Sequence, residues 1–67
     1  MTKKELAILY WDGPMPDDMR IVTNHLMRWI NCNTKLLEEL RRQNYMSRNR
    51  EFTPKQVEII YKFLGEP

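Results

Sequence analysis

The stretch from Asp17 to Gln43, DDMRIVTNHLMRWINCNTKLLEELRRQ, decides the fold. Its seam positions run Met19, Val22, Leu26, Trp29, Asn33, Leu36 and Leu40, at spacings of 3, 4, 3, 4, 3 and 4. That is a heptad with one polar member, Asn33, at an a position. Ile30 and Leu37 at e positions widen the apolar stripe beyond a bare two-stranded seam, as a helix covering two neighbours requires. Pro14-Met15-Pro16-Asp17-Asp18 has the character of a helix start, with acids at the positive end of the dipole. At the other end Arg41 and Arg42 suit the last turn, and Asn44 tolerates the left-handed conformation that ends a helix. The pattern predicts one helix over about 17–43, about 40 Å long.

Two shorter helices flank it. Thr2-Lys3-Lys4-Glu5 has the form of a capping box, followed by Leu6, Ile8, Leu9, Tyr10 and Trp11 and stopped by Gly13-Pro14. A helix over about 3–11 follows, since no second strand-like run exists to pair with residues 6–11. Near the other end, Phe52-Thr53-Pro54-Lys55-Gln56 places Thr53 at the N-cap, Pro54 at the first helical position and Gln56 at the third. Val57, Ile60, Tyr61 and Leu64 then mark a helix over about 54–64, closed by Gly65. The expected fold is all-α: a single domain over 1–67 with three helices, the central one long and amphipathic.

Length makes such a fold marginal. Below roughly 70–80 residues a single core supplies only about 3–5 kcal/mol. Two short helices cannot cover a 40 Å stripe, so a second copy of the chain is the expected cover, with Met19, Val22, Leu26, Trp29, Asn33, Leu36 and Leu40 as the contact. A buried a-site Asn33 would pair with its own copy and fix register; alternatively it lies half exposed in a monomer.

Catalysis is not expected. The single histidine, His25, and single cysteine, Cys32, are two helical turns apart, about 10 Å, too far to act as a base and nucleophile in one chain. One cysteine permits no intrachain disulfide and no multi-cysteine metal site, so neither metal nor cofactor is expected. A lone thiol suits a reducing, cytoplasmic compartment. No apolar run approaches the ~18 residues of a membrane span.

The formal net charge of +2 is small, but four arginines and no acid lie between Arg41 and Arg50. Arg41, Arg42, Arg48 and Arg50, with Ser47 and Asn49 in a polar loop, have the chemistry of phosphate contacts, and Tyr45 could stack on an exposed base. The same residues also suit an ordinary solvated helix end and loop. Tyr10 and Trp11, beside a Pro-rich turn containing Met15, are a second candidate surface, since aromatics and Met are enriched in interfaces; they equally suit packing on the long helix.

Two resemblances bear on this. Phe52-Thr53-Pro54-Lys55-Gln56-Val57-Glu58-Ile59-Ile60 resembles the opening helix of the LuxR and sigma-type helix-turn-helix, although the helices that would follow, including the one that reads DNA in that family, are absent. Leu36, Leu37, Leu40, Arg41, Gln43, Phe52, Thr53, Lys55, Gln56, Ile59, Ile60 and Lys62 are similar to a short helical hairpin found on phage DNA-metabolism proteins. That resemblance implies a small phage or prophage accessory protein and carries over no catalytic residue. The functional expectation is a non-catalytic interaction protein that binds a protein partner or itself; the alternative is a nucleic-acid-binding accessory using Arg41 to Arg50.

Overall fold

The computed structural model describes residues 1–46 and 48–67; Ser47, read above as part of the polar loop, lies outside the described residues. Among the described residues four helices follow one another: α1 (Lys3–Tyr10), α2 (Met19–Cys32), α3 (Thr34–Arg42) and α4 (Pro54–Leu64). The all-helical class stands, but the helix count does not: the long helix expected over 17–43 is two helices.

The break falls at Asn33, which ends α2 and begins α3 in one residue. Its backbone is extended, with φ −101° and ψ 93°. Its N–H donates to the Ile30 carbonyl at 3.2 Å, and its side-chain oxygen accepts the Leu36 N–H at 3.1 Å. Short amide side chains compete with the helical ladder by bonding nearby backbone in this way, and so favour caps over interiors. The heptad spacing continues across position 33, but the helix does not. Asn33 is therefore a double cap and not an a-site residue in a continuous seam. Replacing it with Leu removes the cap of α3, and we expect a loss of about 1 kcal/mol. For a chain of this size that is a fall of roughly 4–8 °C in Tm, read by thermal denaturation.

The bend lets both halves of the stripe face one core. Val22, Leu26 and Ile30 from α2 meet Leu36 and Leu40 from α3, Leu6 and Ala7 from α1 and Ile60 from α4, all buried. This corrects the role expected for Val22, Leu26, Leu36 and Leu40, which are covered by their own chain. Met19 is partly buried against that core, and Trp29 remains 41% exposed.

The remaining elements start and stop where local chemistry places them. Thr2 and Glu5 exchange both capping-box bonds at 3.0 Å, as do Thr53 and Gln56 at 3.2 and 3.0 Å. Gln56, only 2% exposed, also donates from its amide to the Gln43 carbonyl at 2.9 Å, tying the start of α4 to the end of α3. Asn44 takes the left-handed conformation with φ 63°.

One long-range link has no counterpart in the sequence pattern. Thr2 and Glu51 form an isolated antiparallel bridge, with the Lys3 N–H donating to Arg50 at 2.9 Å and the Phe52 N–H to Met1 at 2.7 Å. The first residues of the chain are thereby fastened to the segment before α4.

Candidate nucleic-acid interface

The terminal bridge sets which charges become neighbours. Lys3 and Lys4, in the first turn of α1, come to face Arg48 and Arg50 across a groove of about 550 Å³. Thr2, Thr23, Asn49 and Glu51 complete its lining. Four cations from opposite ends of the sequence thus share one surface with two hydroxyls, an amide and a single carboxylate. The Lys3 ammonium stands 5.3 Å from the centre of the Tyr45 ring, and partial burial holds its pKa below the ordinary lysine value. Among the described residues, Lys4, Arg48 and Arg50 have no ion-pair partner. A smaller depression of about 310 Å³ continues the groove along α2 through Lys4, Met19, Arg20, Thr23 and Asn24.

The basic cluster expected from the sequence is divided by this arrangement. Arg48 and Arg50 line the groove. Arg42 instead pairs with Glu39 at 3.0 Å on the exposed side of α3. Arg41 lines a separate depression with Asn31, Leu37, Tyr45 and Met46. Tyr45 is not available to stack on a base: it is 5% exposed and its ring stacks on Phe52, with centroids 5.5 Å apart and planes at 21°. Burial also raises the pKa of its hydroxyl. Lys3, Lys4, Thr23 and Asn24 were not singled out by sequence reasoning. Their relevance depends on the Thr2–Glu51 bridge, whose extended segments are too short to leave a strand signature.

The other expected surface is a run of rings. Trp11 meets His25 edge-on at 5.2 Å, His25 lies 4.6 Å from Trp29, and Tyr10 contacts both Trp29 at 6.2 Å and Tyr61 at 6.4 Å. Trp11 also donates its indole N–H to the Pro14 carbonyl at 3.0 Å, closing the turn after α1. The Nδ1 atom of His25 is buried without a hydrogen-bond partner among the described residues. Tyr10 donates its hydroxyl to the Gly65 carbonyl, holding the end of α4 against α1.

Burial, with the negative charges of Tyr61 and Glu66 at high pH, pushes the Tyr10 pKa up to about 12 from an ordinary 10.0. A pKa raised by folding means that the neutral form is the one the fold favours. Its contribution is complete below pH 10 and is lost as pH rises toward 12. We expect the helical signal to lose stability across that window, and Tyr10→Phe to remove this component of the alkaline loss while lowering stability at neutral pH. An unchanged alkaline profile in the variant would contradict the assignment.

Among the described residues no three His, Cys, Asp or Glu side chains are grouped to hold a metal ion, and no helix is long and apolar enough to cross a membrane. Cys32 is a free, exposed thiol. A family model described as "Domain of unknown function (DUF4248)" matches residues 1–67. No curated protein and no solved structure matches the chain.

Proposed function

The chain belongs to the DUF4248 family, and for it we propose a non-catalytic role, binding the phosphate backbone of a nucleic acid through the groove of Lys3, Lys4, Arg48 and Arg50. The observation that carries this reading is the meeting of those four cations across one groove, with Glu51 the only acid in its lining. Phosphate contacts draw on Lys and Arg charge together with hydroxyl and amide donors, and Thr2, Thr23 and Asn49 supply the latter types. The resemblance of residues 36–62 to phage helical hairpins suggests an accessory factor of phage or prophage type, and the single thiol suits a reducing, cytoplasmic setting. A gel shift with short single- and double-stranded DNA at about 50 mM salt tests the role. We expect a retarded complex; free probe throughout the protein titration would retire the proposal.

A second reading, self-association, is favoured by a different surface. Ile21 is 51% exposed and Trp29 41%, and Ile21 lines a depression with Trp11, His25, Asn24 and Arg28, so this surface borders the basic face of α2. Sedimentation of wild type against Trp29→Glu tests it: a concentration-dependent dimer lost in the variant supports it, and a wild type that stays monomeric at high micromolar concentration excludes it.

A further inference from the structure

Resting on the nucleic-acid reading above, we infer that the ligand is duplex DNA and that α2 is the element that enters its major groove, with Asn24, Arg28 and Asn31 meeting base edges.

The composition of α2 is the first support. Over Met19–Cys32 it carries Arg20, Arg28, Asn24 and Asn31, and no aspartate or glutamate. The spacing of Asn24, Arg28 and Asn31, four and then three residues, puts them on one face of the helix. That face lies opposite Val22, Leu26 and Ile30, which are buried. All three side chains are exposed, and none has a polar side-chain partner among the described residues. Arg20 differs: Asp18 holds its guanidinium at 2.9 Å, so it is not counted among the readers.

Chemistry and placement agree. Arg matches the acceptor pair on guanine, and Asn the donor and acceptor on adenine, both in the major groove. A helix of 14 residues is about 21 Å long and about 10–12 Å wide, which the roughly 12 Å major groove admits. Cations border the same face at both ends. Lys4 lies beside Asn24 at the start of α2, continuous with Lys3, Arg48 and Arg50, and Arg41 lies beside Asn31 at its end. Backbone contacts of this kind fix a helix in register while its outer side chains read sequence.

The alternatives fit less well. Single-strand binding relies on aromatic platforms set beside the cations. Here Tyr45 is buried against Phe52, and Trp11, which shares a depression with Arg28, is half-buried, held edge-on against His25 and tied to the Pro14 carbonyl. The exposed charges of α4 include Lys55 and Glu58, which approach each other to 3.9 Å, so α4 offers no comparable basic face.

The test is selection by the full-length protein from a randomised duplex library. We expect a short motif to emerge. Asn24→Ala, Asn31→Ala and Arg28→Lys should each lower affinity for the selected site about tenfold or more. Their affinity for unselected duplex should change far less, because Arg28→Lys keeps the charge and the asparagines carry none. Circular dichroism melting confirms that the exposed-site variants remain folded. Binding without any enriched motif overturns the assignment of α2 while leaving the groove proposal standing. The same follows from variants that keep full affinity for the selected site, or from a single strand bound more tightly than the duplex. No binding to any library member, duplex or single-stranded, overturns both.

Discussion

Leu26→Ala is expected to unfold most of the protein at room temperature. Leu26 is fully buried in the one core cluster to which all four helices contribute. Truncating a buried leucine costs about 2–5 kcal/mol, through lost transfer energy and the cavity left behind. A chain of this size has only about 3–5 kcal/mol in total, so one such substitution removes nearly all of it. Denaturant titration followed by helical circular dichroism reads the effect. The same experiment separates an intrachain core from an intermolecular seam. If Leu26 packs within its own chain, the loss is the same at dilute and concentrated protein. If it packed across two copies, the wild-type midpoint would rise with concentration. A variant that melts with wild type would contradict the core described above.

The second large effect is on binding. Arg48→Glu/Arg50→Glu is expected to weaken nucleic-acid affinity on the order of 100-fold, since each charge-assisted contact contributes about 1.5–3 kcal/mol when formed. The reversed charges would also stand beside Glu51 and repel the backbone. The salt dependence should fall with the affinity, losing about one unit of slope for each contact removed. Arg42→Glu/Lys55→Glu is the matched control. It makes the same charge change on side chains that pair with Glu39 and Glu58 and do not line the groove, and it should alter affinity only slightly. Equal losses in both variants would mean that net charge, and not the groove, governs binding.

Features that depend on residues within one turn were legible in the sequence. The boxes of Thr2 with Glu5 and Thr53 with Gln56 form as their spacing predicts, because a cap needs only its own neighbours. The start and end of α4 followed for the same reason. Asn33 fits two compatible patterns, of which the fold uses the cap. It completes a heptad and is also a strong cap, and the sequence does not say which use prevails. Folding resolves the ambiguity, because bending at Asn33 buries Leu26 and Leu40 in a single core. Tyr45 is a related case. It sits in a mostly polar stretch, but the chain returns to lay Phe52 on its ring. The groove was the least legible part. Lys3 and Lys4 precede Arg48 and Arg50 by more than forty residues, and a single Thr2–Glu51 bridge brings them together.

The salt dependence of duplex affinity decides whether the groove binds phosphate. Wild-type protein titrated into short duplex DNA across a range of salt, with affinity read by fluorescence anisotropy, gives the number of phosphates neutralised as a slope. Lys3, Lys4, Arg48 and Arg50 acting together predict a logarithmic slope of about −3 to −4. A slope near zero, or no binding at about 50 mM salt, would contradict a phosphate-binding role for the groove.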